Sequence, residues 1–477
     1  MTQSSGFCQY LCDWLSSQVT AGRAVLAVAI ATGVVLRFHR LDFVGLSLDE
    51  GYAWAAAAEP VSRLLELQPQ LDSGKLAVYD LLLHYWIEIF GDSLRSMRSL
   101  SAAIDSISIL LIYALVRELY LAFAEAEAGE LAGGFAALLF ATNVTLLRSA
   151  RTARMYPLMT AAELAQILFF VCAQRRGRVS DVILTAVFLA LAIAANFTAA
   201  FILLSEAFWL AYLLAARWKG LPGADLHVVA PALSLITGLV LLLPSVQSAI
   251  PLLRGDVRYQ GFGWIAYRPP LQWSYEVLGG SAFNKAPFGL FLVLAAIGIW
   301  RHRSKAPLIP MFMAAATIGP FAAVAVASLF AIPMMVDRYV LIAVVTFLGL
   351  AAIGAASFES KLGRILVFIL IVRGSAHALK HSATFWVDWR QAVGMACAVS
   401  RADAEIGVVP GDAVHVVRYY LPPRRRPLAI GLYSKCGGSQ LLILCPGRLI
   451  PPTYMSALKA CYPHIVCRVT RAEVRAR

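Results

Sequence analysis

Apolar residues along this chain gather into long unbroken runs, divided by short polar breaks. A hydrocarbon core takes about 17 to 25 apolar residues per helical crossing. Eleven segments meet that length, roughly 24–40, 98–116, 131–148, 156–173, 180–197, 199–216, 228–246, 286–300, 307–330, 339–358 and 363–379. The division between the fifth and sixth is short and falls at Asn196-Phe197-Thr198. Two stretches between the runs are long. The first, 41–97, contains an amphipathic segment at 76–90, too short and polar to cross, which reads as an interfacial helix. The second, 247–285, is rich in Gly, Pro and aromatics, among them Tyr259, Trp264, Tyr267, Trp273 and Tyr275. Trp and Tyr favour membrane interfaces, and a loop of this length suits a cover over a site.

After residue 380 the pattern changes. Asp388-Trp389-Arg390 opens a helical stretch to Ser400, and short apolar runs follow at 413–417, 441–445 and 465–469, broken by Gly and Pro. These predict a small α/β domain. The expected fold is thus an α-helical polytopic membrane protein of about 11 transmembrane helices. Residues 1–379 form the membrane unit and 380–477 a C-terminal α/β domain.

Composition agrees with this class. The chain is 60% hydrophobic and only 14% charged, against about 25% charged in soluble domains. Arg175, Arg176, Arg178, Arg217, Lys219, Arg301, Arg303, Lys305, Lys361 and Arg364 fall in loops on one side. The positive-inside rule makes that side the cytoplasm. The N-terminus shares it, and an odd number of spans places the C-terminus outside. Net charge of +13 calls for no nucleic acid, since inner loops against anionic lipid account for it. Of eight cysteines, five lie in the proposed outer domain, where disulfides form. Cys436 with Cys445, or Cys461 with Cys467, is a candidate pair, and spacing does not choose between them.

Candidate chemistry sits on the outer side. Asp49-Glu50 lies just past the first span, followed by Gly51-Tyr52. A carboxylate there is placed to take a proton from a hydroxyl, although acids also favour helix N-termini. Arg148, Arg151 and Arg154 stand on the outer side, against the charge bias. A guanidinium fork suits phosphate. Lys75 and Asp337-Arg338-Tyr339 add further outer groups. Gathered near Asp49, these cations suit a lipid phosphate leaving group.

The chain resembles the membrane-bound GT-C glycosyltransferases at these residues. It is closest to the family-39-like branch of protein O-mannosyltransferases, lipid A aminoarabinose transferase and rhizobial galacturonosyltransferases. The resemblance runs through Arg37-Phe38, Leu48-Asp49-Glu50-Gly51-Tyr52, Gly74-Lys75, Tyr79, His84 and Phe90-Gly91-Asp92-Ser93 with Arg98. It continues through Ala153-Arg154-Met155-Tyr156, Asp337-Arg338-Tyr339, Asp388-Trp389-Arg390 and Pro410-Gly411-Asp412. It implies an inverting sugar transfer from a polyprenyl-phosphate donor to an envelope glycolipid or protein, on the periplasmic side of a bacterial inner membrane. Asp49 would be the base and Glu50 its helper or a metal ligand. Lys75, Arg154, Arg338 and Arg151 would bind the donor phosphate, and Tyr52, Tyr79, Tyr156 and Tyr339 would line the pocket. Leu76-Ala77 after Lys75, and Thr152 two residues before Arg154, depart from the family pattern. No cofactor is assigned, with a divalent metal left open.

A transporter or lipid-linked sugar flippase is the rival class. Asp105, Glu163 and Glu206 fall within spans, where acids mark candidate functional sites. A transporter should also show repeats and broken helices near the midplane, and neither pattern is visible. A non-catalytic assembly subunit is a third reading, since fold does not guarantee function.

Overall fold

A computed structural model describes residues 21–124, 126–253, 269–278, 285–330, 334–380, 389–409, 411–431, 441–444, 460–461, 464–469 and 472–476. The helices are α1 (Ala21–Phe38), α2 (Leu48–Ala57), α3 (Val61–Leu71), α4 (Val78–Phe90), α5 (Leu94–Phe123), α6 (Ala126–Thr142), α7 (Val144–Ala150), α8 (Tyr156–Arg176) and α9 (Val179–Ala195). They continue with α10 (Ile202–Lys219), α11 (Val229–Leu253), α12 (Pro270–Leu278), α13 (Lys285–His302), α14 (Leu308–Phe330), α15 (Leu341–Ala356), α16 (Lys361–Lys380), α17 (Trp389–Val399) and α18 (Val414–Tyr420). Each of the eleven apolar runs overlaps a helix, the third as the pair α6–α7. Among the described residues five helices are long and apolar enough to cross a membrane, or six if the α6–α7 pair, bent by 63°, is one span. The protein is therefore polytopic and largely helical. Of the expected loop 247–285, residues 247–253 continue α11 and 270–278 form α12, while 254–268 and 279–284 lie outside the described residues.

Local chemistry explains the breaks. At Asn196 the side-chain oxygen accepts from the Thr198 amide at 3.0 Å and the Thr198 hydroxyl at 2.7 Å. This capping stops α9 and starts a 3-10 turn, Phe197–Phe201, ahead of α10. Asn143 does the same between α6 and α7, accepting from the Thr145 and Leu146 amides. Helix α15 is buried from Leu341 to Ala355 on every side, as a helix apolar all round should be. Gly298 and Gly354 let α13 and α15 approach closely, since a Cβ on Gly298 would meet the Gly354 nitrogen at 2.9 Å. Helix α4 buries Tyr79, Asp80, Leu83 and His84 and exposes Leu82, Tyr85, Ile89 and Phe90. That is the two-faced helix expected at 76–90.

Polar groups inside the bundle are mostly paired. Arg37, fully buried, meets Asp105 at 2.6 Å through Nη2 and 2.7 Å through Nε. Its Nη1 donates to the Gly33 and Ala141 carbonyls. Glu206 accepts from Gln166, which also donates to Ser234. Glu163 is buried, with one carboxyl oxygen lacking a hydrogen-bond partner.

The C-terminal region is a five-stranded mixed sheet, β1 (Ile406–Val409), β2 (Ala429–Gly431), β3 (Leu441–Leu444), β4 (His464–Val469) and β5 (Ala472–Ala476), in the order β2-β1-β3-β5-β4. β1 runs parallel to β2 and β3, and β5 antiparallel to β3 and β4. The apolar run at 413–417 belongs to helix α18 and its leading turn, whereas 441–445 and 465–469 contribute strands. Cys461 is disulfide-bonded and Cys397 is free. Cys436 and Cys445, and the side chain of Cys467, lie outside the described residues.

Helix α18 packs on α2. A Cβ on Gly51 would meet Val416 Cγ2 at 2.8 Å, so glycine permits this contact. Tyr420 Oη accepts from the Leu46 amide at 2.8 Å, and Tyr419 stands edge-on to Trp54 with centroids 5.3 Å apart. Arg426 covers the other part of the Trp54 surface, 5.1 Å from its ring centroid.

Removing one partner of a buried ion pair costs about 3–5 kcal/mol, whereas replacing both with apolar groups is often neutral. Arg37→Leu should therefore lower the thermal unfolding temperature in detergent, and Arg37→Leu with Asp105→Leu should recover most of the loss.

Candidate active site

The outer-loop residues converge at one end of the bundle, where α1 finishes and α5, α8 and α15 begin. Ser47 caps α2. Its Oγ accepts from the Glu50 amide at 3.3 Å, and its own amide donates to Glu50 Oε2 at 2.9 Å. This reciprocal capping box turns Glu50 inward. There Arg98 Nε donates to Oε1 at 2.7 Å and Nη2 to Oε2 at 2.8 Å. The Ala153 amide adds a further bond to Oε1 at 2.9 Å. Burial pushes the Glu50 carboxyl up, but Arg98 outweighs it and holds the group below the ordinary carboxylate value. A carboxylate offers about four lone-pair sites, and these four donors occupy them. The expectation of Glu50 as a catalytic helper or metal ligand thus gives way to a positioning role.

Asp49, one residue earlier on the helix, faces the other way. Its side chain is 36% exposed, and Oδ2 accepts from Arg338 Nη1 at 2.6 Å. Its backbone carbonyl accepts from Arg154 Nη1 at 2.9 Å. Arg154 also reaches Asp72 Oδ2 at 2.7 Å. Lys75 meets the same oxygen at 3.0 Å and both oxygens of Asp80, at 3.0 and 2.7 Å. Charges thus alternate from Asp80 through Lys75, Asp72 and Arg154 to the Asp49 backbone. Burial raises the Asp72 carboxyl, but Arg154 and Lys75 together bring it from an ordinary 3.8 down to about 2.

The tyrosines divide. Tyr156 is buried between two cations, with Arg338 at 5.6 Å and Arg154 at 5.9 Å from its ring centroid. Tyr339 lies 5.9 Å from Arg338. These two rings belong to the cluster around Asp49. Tyr79 is fully buried and pairs with the Ser101 hydroxyl at 2.8 Å, and Ser101 donates to the Arg154 carbonyl. Tyr79 is therefore a buried support and no pocket wall. Tyr52 packs on His415 of α18, centroids 5.6 Å apart, which makes it part of the docking surface for the C-terminal region. Arg151 is corrected as well. It donates to the Leu36, His39 and Arg40 carbonyls, satisfying the end of α1, and so faces α1 rather than the cluster around Asp49. His84 bonds the Ala57 carbonyl at 2.8 Å, a structural contact.

Among the described residues no three His, Cys, Asp or Glu side chains converge into a metal-ligand group. The positive charge beside Asp49 comes from Arg154, Arg338 and, behind Asp72, Lys75. Asp72 and Asp80 escaped the sequence reading. The opposite charges at Asp72 and Lys75, three residues apart, were the available signal.

The chain matches the family model described as dolichyl-phosphate-mannose-protein mannosyltransferase over residues 77–244. No curated protein matches it by sequence. Among solved structures it is similar to ArnT from Cupriavidus metallidurans bound to undecaprenyl phosphate. The TM-score is 0.58 at 14% identity, covering 94% of this chain and 97% of that one. The Archaeoglobus fulgidus oligosaccharyltransferase tethered with an acceptor peptide aligns at TM-score 0.52 and 12% identity, over 89% and 69% of the two chains. AglB from Archaeoglobus fulgidus, with an inhibitory peptide and a dolichol-phosphate, aligns at 0.53 and 10%, over 86% and 64%.

Glu50→Ala should leave Arg98 buried without its anion, at a cost of about 3–5 kcal/mol, read as a fall in thermal stability and in folded yield. The depressed Asp72 carboxyl contributes stability that is fully present above pH 3.8 and lost as pH falls through about 2. Acid titration of the wild type should show a transition in that window which Asp72→Asn lacks. The chain thus shares its fold over nearly its full length with ArnT and over most of it with the archaeal oligosaccharyltransferase, and its residues 77–244 match the protein mannosyltransferase family model.

Proposed function

We propose that this protein transfers a sugar from a polyprenyl-phosphate-linked donor to an envelope glycolipid or protein, at the periplasmic face of a bacterial inner membrane. The observation that carries this reading is the exposed Asp49 carboxylate, paired with Arg338 and backed by Arg154. In the reaction the acceptor hydroxyl loses its proton to Asp49 as its oxygen attacks the anomeric carbon. The sugar–phosphate C–O bond breaks, and the phosphate leaves with the electron pair. Arg338 and Arg154 meet the charge that develops on it, in a pocket walled by Tyr156 and Tyr339. Attack opposite the leaving group inverts the anomeric centre. The relatives solved with undecaprenyl phosphate and dolichol-phosphate support a polyprenyl donor.

The proposed topology has eleven spans, with the N-terminus cytoplasmic and the C-terminus periplasmic. Residues 1–379 form the membrane unit and 380–477 the outer domain. The basic residues closing α8, α10 and α13 stand at the helix ends opposite Asp49, which supports this orientation. The bonded state of Cys461 agrees with an oxidising compartment. Against a transporter, Asp105 and Glu206 are engaged with Arg37 and Gln166 inside the bundle.

Asp49→Asn should lower transfer by about 10²–10⁴-fold while polyprenyl phosphate still binds. The readout is mass spectrometry of envelope glycolipids and glycoproteins from a deletion strain complemented at matched protein levels. Equal restoration by wild type and variant would remove Asp49 from the chemistry and favour a carrier or an assembly subunit.

A further inference from the structure

Lys75 and Arg154 converge on one oxygen, Asp72 Oδ2, at 3.0 and 2.7 Å. The side chains of both cations are almost wholly buried, at 1% and 5% exposed, whereas that of Asp72 is 21% exposed. The Asp72 side chain is therefore the most exposed of the three, although its Oδ2 is itself buried between the cations. An ammonium and a guanidinium holding a shared oxygen from two directions make the arrangement that binds a phosphate oxygen.

We infer that Asp72 occupies the place of a phosphate oxygen between Lys75 and Arg154 and so sets the affinity of the site for polyprenyl phosphates, an inference that rests on the donor reading above. The cations need not move for the exchange. Lys75 keeps both oxygens of Asp80, and Arg154 keeps the Asp49 carbonyl. The loop on the far side of Asp72 is bolted to the end of α9, where the Leu76 amide donates to the Ala194 carbonyl and the Phe197 amide to the Gly74 carbonyl. Gly74 sits at φ +86°, a left-handed joint that glycine adopts without strain, between the bolted segment and Asp72. A phosphate beside an undisplaced Asp72 would face a like charge in a poorly hydrated corner. Donor binding thus requires the carboxylate to turn outward. The hold of the two cations on Asp72 Oδ2, at 3.0 and 2.7 Å, is the resistance that the donor must overcome.

A competing internal anion lowers apparent affinity by the fraction of molecules in which the site is free. Asp72→Asn and Asp72→Ser should therefore bind undecaprenyl phosphate about tenfold more tightly than wild type, if about a tenth of wild-type sites are free. Equilibrium binding to the full chain in detergent, with undecaprenyl phosphate, undecaprenol and inorganic phosphate as separate probes, reads this out. Tightening for both phosphates, with none for undecaprenol, is the expected pattern and assigns the effect to the anion. Tightening for undecaprenol as well would overturn it, because the gain would then lie in the lipid tail. Unchanged or weaker undecaprenyl phosphate binding in both variants, with wild type binding normally, overturns the inference and leaves the donor reading standing. Wild type that binds undecaprenyl phosphate no better than undecaprenol removes the donor reading and this inference with it. A misfolded variant loses affinity, so a gain is not a result that structural damage produces.

Discussion

The architecture of the site depends on one guanidinium. A guanidinium has five N–H donors, and Arg98 spends its set on the Leu41, Val44 and Gly45 carbonyls and on both oxygens of Glu50. The start of α5 is thereby tied to the whole entry into α2. The remaining lone pairs of Glu50 take the Ser47 and Ala153 amides, which brings in the α7–α8 link. Within that link Arg151 closes the end of α1, Ala153 holds Glu50, and Arg154 holds the Asp49 carbonyl and Asp72. Two neighbouring acids thus have opposite fates. One is buried as a fastener, and the other is left half-exposed with a cation at its edge.

Such a fastener is costly to assemble and costly to break. Desolvating two ions opposes folding, and only near-complete hydrogen bonding offsets it. What the arrangement yields is position. Asp49 sits in the first turn of a helix whose start, end and inner face are each held by a different part of the chain. Its carbonyl is fixed separately from its carboxylate, so the side chain keeps freedom while its base does not.

Much of the helical fold was legible in the chain because membrane crossing imposes a length that apolar runs record directly. The break at Asn196 and the two-faced α4 were legible too, whereas the Asn143 cap that bends the 131–148 run was not. Nor were the fates of individual polar residues. The Ser47-x-x-Glu50 spacing signals a capping box, but the choice of Glu50 over Asp49 as the buried member depends on Arg98, 48 residues away, and on an amide 103 residues away. Arg151 and Arg154 looked alike on the outer side, yet one faces the carbonyls at the end of α1 and the other faces Asp72. Lys75 read as an open cation because its neighbours Asp72 and Asp80 were not set against it. Tyr52 and Tyr79 read as pocket residues, but the first meets α18 and the second Ser101. A single sequence records which residues are charged and where spans fall, and tertiary contact decides which charges meet.

The docking of α18 on α2 bears on the order of assembly. The Leu46–Tyr420 bond joins residues 374 apart, and the Asp49–Arg338 pair spans 289. Chains emerge from the ribosome N-terminal end first, and contacts between distant residues form late because the intervening loop must close. The helix that bears Asp49 is therefore among the first segments made and among the last to be finished. Through most of its biogenesis the protein holds an acid without its arginine and a tryptophan without its cover. The Asp49 pair can close only once Arg338 has been made, and the cover over Trp54 only once α18 follows it.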